Sequence, residues 1–169
     1  MNPTRRIIAA LAALTFVWCA LIVSAPVCQG LFGTNVWSGN VYAFFSPICH
    51  QLDDRSFHIL GFKFAVCIRC FSIYAGFLIS ISALLLRRGV QLRLPESKYL
   101  LAALLPMLID VALDTVGVFR STSLSRIVTG SLFGLVAPFF IVPPLTQALR
   151  QLRIFPFSRG AVLHAGNTE

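Results

Sequence analysis

The stretch Pro47–Gly76, PICHQLDDRSFHILGFKFAVCIRCFSIYAG, decides how the chain is read. It holds a Cys-His pair (Cys49, His50), a polar patch from Asp53 to His58, and a C-x-x-C (Cys67, Cys70) that runs straight into an apolar segment. Three of the five cysteines and two of the three histidines lie within it. Working outward, the flanking sequence is almost uniformly apolar. Only 12% of residues are charged and 57% are hydrophobic, about half the charged fraction of an ordinary soluble domain. The composition is that of a membrane protein of one domain, residues 1–169.

Four apolar runs are long enough to cross a hydrocarbon core of about 30 Å. They cover about 7–25, 64–86, 99–119 and 127–142. The first follows Arg5 and Arg6. Val23-Ser24-Ala25 looks like a cleavage site, but the run exceeds a usual signal-peptide core and Pro26 follows it, so a retained helix is expected. Between the first two runs, Cys28–Lys63 reads as a structured loop with turn residues and interfacial aromatics, including a short helix over Val41–Phe45. Pro143-Pro144 is expected to end or kink the last span. Gly130 and Gly134 form a small-x-x-x-small face suited to close helix packing. The tail, 150–169, is basic. The expected fold class is therefore all-α: a polytopic membrane protein, a four-helix transmembrane bundle with a structured extracytoplasmic first loop.

The net charge of +8 comes from arginines flanking apolar runs, and no basic stripe is interleaved with aromatics. This points to topology signals rather than nucleic-acid binding. Nine Lys/Arg fall on one side of the bundle, at the N-terminus, in the loop after the second span and in the tail; four fall on the other. The larger set belongs in the cytoplasm. The expected localisation is a prokaryotic plasma (inner) membrane with both termini inside and the Cys-His stretch outside.

Depth at 1.5 Å per residue brings unusual residues of two helices together. Cys67 and Cys70 near the start of span two, and Asp110 and Asp114 in the upper half of span three, fall in the same half of the bilayer. A lipid-exposed carboxylate or guanidinium costs at least about 2.5–3.5 kcal/mol. Asp110 and Asp114 should therefore face the bundle interior, with Arg69 as the neutralising partner.

The pattern P-x-C-H-Q, R-S-F and C-x-R-C-x-x-I-Y-x-G, followed by Pro106, Asp110, Ser121, Arg126, Thr129, Gly130 and Gly134, resembles a family of small prokaryotic integral-membrane proteins catalogued as a domain of unknown function. The resemblance covers roughly residues 42–134. It implies a multi-pass membrane protein and supplies no reaction. The family often has Gly after the aspartate and Gln four positions on, where this chain has Val111 and Asp114.

The residues themselves support three kinds of chemistry. Cys49, His50, Cys67 and Cys70 form a Cys3His set suited to zinc or another thiophilic metal, with His58 as an alternative fourth ligand. Asp110, Asp114 and Arg69 would then be the candidate catalytic groups. The C-x-x-C at a helix start beside Arg69 also suits thiol–disulfide chemistry, coupled to a lipid-phase partner such as a quinone. A third reading is non-enzymatic: a structural disulfide (Cys28–Cys49 or Cys49–Cys70), with Arg120 and Arg126 binding an anionic lipid headgroup or lining a solute path. Cys19 reads as packing, and His164 as a tail residue without a role. There is no Walker motif, dinucleotide fingerprint or H-E-x-x-H. Oligomeric state is not encoded in any pattern visible in the sequence.

Overall fold

The computed structural model describes residues 3–87 and 94–154. It is mostly helical. Four helices are long and apolar enough to cross a membrane, spanning Thr4–Phe32, Ile68–Leu86, Ser97–Val116 and Ser123–Leu149, and a small two-stranded hairpin lies between the first and second. In chain order the elements are α1 (Pro3–Phe32), α2 (Val36–Phe45), β1 (Ser56–Ile59), β2 (Phe62–Cys67), α3 (Ile68–Leu86), α4 (Ser97–Val116) and α5 (Ser123–Ile154), with a single 3-10 turn at Asp53–Arg55.

α3 is the middle of the structure. It packs most extensively on α5 and on its other side against α1, while α4 packs on α5. The α3–α5 contact is backbone against backbone. A methyl group on Gly134 would sit 2.2 Å from the Ile73 carbonyl oxygen, and one on Gly130 would sit 2.7 Å from the Arg69 carbonyl oxygen. Small residues permit this approach where apolar burial cannot drive helix association in lipid. α4 leaves Leu101, Leu105, Leu108 and Ile109 exposed, as a lipid-facing helix should. Gly117, at φ 78°, closes it with a left-handed cap.

The first loop is more ordered than its composition suggests. Gly33, at φ 72°, follows the end of α1. Asn35 then caps α2: its Oδ1 accepts the Ser38 N–H at 2.8 Å, and its Nδ2 donates to the Cys28 carbonyl at 3.2 Å. The hairpin turns through Leu60 and Gly61, both at positive φ (52° and 80°), with Ile59 paired to Phe62. This is the twist a two-residue hairpin demands. Phe64, Ala65 and Val66 are buried with Ile22 and Ala25 of α1, Val41 and Phe45 of α2, and Cys49. Phe57, Phe64 and Phe71 meet edge to face, with centroids 5.0–6.0 Å apart, and tie the hairpin to α3.

Three sequence expectations are corrected. Residues 64–67 belong to β2, so the second helix starts at Ile68 rather than Phe64. The loop helix begins at Val36, five residues before Val41, because Asn35 supplies the cap. Pro143-Pro144 does not end the last helix, which continues to Ile154. Inside a bundle, neighbouring helices and Ser/Thr hydroxyls tolerate proline, and here Thr146 Oγ donates to the Pro143 carbonyl at 2.8 Å. Residues 88–93 of the basic loop, and the tail residues 155–169 with His164, lie outside the described residues.

The α3–α5 contact yields a direct test. Gly134→Ala should lower the stability of the detergent-solubilised protein by at least about 1–3 kcal/mol, the usual cost of forcing atoms into a filled interface. Gly39→Ala, with nothing within 4 Å of the added carbon, should not. Equal thermal midpoints for the two variants would refute the contact.

Candidate functional site

Cys67 is the last residue of β2 and the N-cap of α3, and Cys70 sits three residues on, in the first helical turn. Side chains at the N-cap and third helical positions converge, as they do in a capping box. The strand-to-helix junction therefore brings the two sulfurs of the C-x-x-C together. Cys49 arrives from the loop. Just after it, Gln51 adopts φ 51°, a conformation uncommon for a residue other than glycine. Two hydrogen bonds hold the reversal: Gln51 Nε2 donates to the Tyr42 carbonyl at 2.8 Å, and Lys63 Nζ donates to the Gln51 carbonyl at 2.8 Å. Tyr42 Oη in turn donates to the Lys63 carbonyl. The sulfurs of Cys49, Cys67 and Cys70 all lie within 4.8 Å of one another.

Cys49 is buried, at 7% exposure, and its Sγ accepts the Cys67 N–H at 3.1 Å. Hydrogen bonding from the Cys67 side chain, and then from Cys70, holds its thiol well below the usual range. All five cysteines are free thiols, so no disulfide joins Cys28 to Cys49 or Cys49 to Cys70. Cys28 and Cys19 lie outside the three-sulfur group. His50 and His58 are exposed and are not members of it either. His58 pairs with Asp53 at 3.2 Å, whereas His50 lines the cavity beside the sulfurs.

That cavity has a volume of about 200 Å³. One wall is formed by the three cysteines, and the rest by the His50–Leu52 segment, Ile48 and the side chains of Arg55, Arg69 and Arg126. Behind the arginines lies a charged network. Arg69 pairs with Asp110, as the sequence suggested. Asp114 does not share that partner: its Oδ2 takes Arg55 Nη1 at 2.9 Å and Arg126 Nη2 at 3.4 Å. Ser121 joins the two halves. Its N–H donates to Asp114 Oδ1 at 3.2 Å, its Oγ donates to Asp110 Oδ2 at 3.2 Å, and the same Oγ accepts from Arg69 Nη2 at 3.1 Å. Arg120 is exposed and does not line the cavity.

Two members of this network, Arg55 and Ser121, were not singled out as site residues from the sequence. Arg55 lies 59 positions from Asp114 in what reads as a solvated polar patch. The signal that could have found both is their place in the family pattern. The chain matches, over residues 49–140, the family described as "Predicted membrane protein (DUF2085)", and it belongs to that family. It is similar to a relative from Methanocaldococcus jannaschii, "Uncharacterized protein MJ1492", with 38% identity over 114 residues, covering 65% of this chain and 73% of the relative. No solved structure matches the chain. The matched region begins at Cys49 and contains every residue of the sulfur group and the charged network.

Asp114 and Arg126 have side chains only 6% and 7% exposed. Asp114 is shared by Arg55 and Arg126, so removing its charge leaves both guanidinium groups without their carboxylate. Asp114→Asn should therefore destabilise the protein strongly, seen as a lowered thermal midpoint and earlier proteolysis. Asp54→Asn removes a carboxylate that is 77% exposed and 3.7 Å from Arg55, and should change stability by less than about 1 kcal/mol. A silent Asp114→Asn would show that the network holds nothing together.

Proposed function

We propose that the protein is a membrane metal–thiolate protein whose Cys49, Cys67 and Cys70 hold a thiophilic divalent ion, zinc in preference to harder metals, at the cavity wall. The observation that carries this reading is the mutual approach of three sulfurs, supplied by a loop and a strand–helix junction, within 4.8 Å. A tetrahedral ion with bonds of about 2.3 Å spaces its sulfurs about 3.8 Å apart. A contraction of an ångström or less would therefore seat it. Thiolate donors select soft or borderline metals. Three protein ligands leave a fourth position for His50, which borders the cavity next to Cys49, or for a ligand entering from the cavity. An ion with such an open position polarises what binds there.

In this reading Asp110 and Asp114 are not bases. Each is already engaged by guanidinium groups, so they position Arg69, Arg55 and Arg126 rather than take up protons. With the basic ends of the chain in the cytoplasm, the cavity would open to the opposite face of a prokaryotic plasma membrane, toward substrates at the membrane surface or in the lipid phase.

A second reading is favoured by one observation, the Cys49 sulfur accepting the Cys67 N–H at 3.1 Å beside two further thiols, an environment that lowers its pKa. A thiolate so placed is competent for disulfide exchange with an oxidised partner, and the outer face of such a membrane is oxidising.

The two readings separate on the purified, untagged protein. Under the metal reading, reduced protein binds one zinc or cobalt ion per chain. The cobalt form shows thiolate-to-metal charge transfer that is abolished by Cys49→Ser, Cys67→Ser or Cys70→Ser and kept by Cys19→Ser or Cys28→Ser. His50→Ala leaves that sulfur signature in place and shifts the ligand-field bands if His50 supplies the fourth position. Reduced, folded protein that takes up no metal rejects this reading. The redox alternative instead requires alkylation trapping in intact cells to reveal a disulfide within the cysteine group that appears and disappears with electron supply.

A further inference from the structure

We propose that the arginine-lined half of the cavity is a binding site for a tetrahedral oxyanion of the phosphate class, held by Arg55, Arg69 and Arg126. This goes beyond the metal reading and stands without it, because the three guanidinium groups are in place whatever the cysteines hold.

The first argument is the placement of charge. All three arginines line the cavity and, among the described residues, no carboxylate does; Asp110 and Asp114 pair with these arginines without lining it. The aspartates pair with all three guanidinium groups, and those three groups nonetheless converge on one cavity.

The second argument is donor satisfaction. A guanidinium has five N–H donors and no acceptor, and buried donors are almost always paired. Arg126 has a side chain 7% exposed and a single hydrogen bond among the described residues, from Nη2 to Asp114 at 3.4 Å. The Nε atoms of Arg69 and Arg55 are buried without a hydrogen-bond partner. The nearest carboxylate to Arg55 Nε is the exposed Asp54, at 3.7 Å, beyond hydrogen-bonding reach. Among the described residues, two of the three guanidinium groups thus keep a buried donor without an acceptor, as a site for an oxygen-rich ligand would.

The third argument is shape and field. The arginines come from three directions: the 3-10 turn before β1, the first turn of α3, and the first turn of α5. Convergent planar forks suit a group that presents several oxygens in three dimensions, such as a phosphate, better than a flat carboxylate. The 19-residue helix α3 starts at this wall, its N-cap Cys67 making no side-chain cap bond. Its dipole adds to the field an anion would meet. A volume of about 200 Å³ exceeds the roughly 30 Å³ that one water occupies in the liquid, so a small oxyanion fits with its oxygens in contact.

The same phosphate chemistry could come from a free anion or from a lipid headgroup. The test uses reduced, chelator-treated full-length protein in a phosphate-free maltoside detergent, titrated calorimetrically with inorganic phosphate. In parallel, the protein is placed in nanodiscs of phosphatidylcholine with and without phosphatidic acid, and bound lipid is counted by mass spectrometry. Saturable binding of one phosphate per chain assigns a free anion. Selective retention of phosphatidic acid, with no response to inorganic phosphate, assigns a headgroup.

Either form should weaken about tenfold or more in Arg55→Gln, the loss of one charge-assisted contact, and also in Arg69→Lys, which keeps the charge but not the fork. Arg120→Gln, at an exposed arginine off the cavity, should bind as the unaltered protein does. Arg55 is the safest of the three to change because its side chain is 40% exposed; a matching thermal midpoint in the absence of anion confirms the fold. Because the titration uses chelator-treated protein, anion binding is read in the absence of metal, so the failure of one reading is not the failure of the other. Folded protein that binds neither ligand, or binding untouched by both Arg55→Gln and Arg69→Lys, overturns the proposal.

Discussion

Charged groups inside a bilayer must be neutralised by other parts of the chain, and in this protein that requirement fixes which elements meet. Asp110 and Asp114 sit one helical turn apart on α4. Exposed to hydrocarbon, either would cost several kcal/mol. They are answered by Arg69 from α3, Arg126 from α5 and Arg55 from the first loop. α4 touches few other elements and keeps much of its apolar surface outward, so the ion pairs and its packing on α5 are what orient it. Ser121, just before α5, bonds to both aspartates and makes the two pairs one unit. The register of α4 against α3 and α5 is in this sense an electrostatic matter, whereas that of α3 against α5 is steric, set by the glycine contacts.

The same contacts locate the site. Gly130 lies against the carbonyl of Arg69, so the first turn of α3 is pressed on α5 at the level of the cavity. Arg69 and Cys70 are adjacent in sequence and point to different tasks, one toward α4 and the other toward Cys49. The loop delivers two groups to this place, Cys49 before the 3-10 turn and Arg55 at its end. The hairpin holds that loop down through Phe57, Phe64 and Phe71. Loop docking, sulfur clustering and charge pairing are therefore coupled, and a change that lifts the hairpin would loosen all three.

Much of this was legible in the residues. Four spans, the small-residue face and the pairing of Arg69 with Asp110 follow from hydropathy, glycine spacing and helical depth. The hairpin was not, for a physical reason. Its turn is Leu60-Gly61, and a bulky residue at positive φ is not a turn signal; the apolar run Phe64–Val66 reads as the start of the next span. Of the two effects expected of Pro143-Pro144, ending or kinking the span, the ending does not occur: packed helices tolerate proline better than water-exposed ones, and α5 continues to Ile154. Arg55 read only as part of a polar patch, since nothing in one dimension connects it to Asp114. The sulfur group was legible in the sequence: Cys49, Cys67 and Cys70 are the three sulfurs of the expected Cys3His set, and the fold brings them together, while His50 falls at the cavity edge.

The order in which groups line the cavity carries the last step of the argument. A structural ion pair gains from being sealed, since water and ligands only weaken it. Here the three arginines that pair with the aspartates also line one cavity, next to three sulfurs. A protein that needed only helix register could place apolar residues at these positions with equal or better stability. Under the proposed oxyanion site, an occupant would meet guanidinium groups from three elements at once and would draw the loop, α3 and α5 toward one another through the residues that already hold α4 in place.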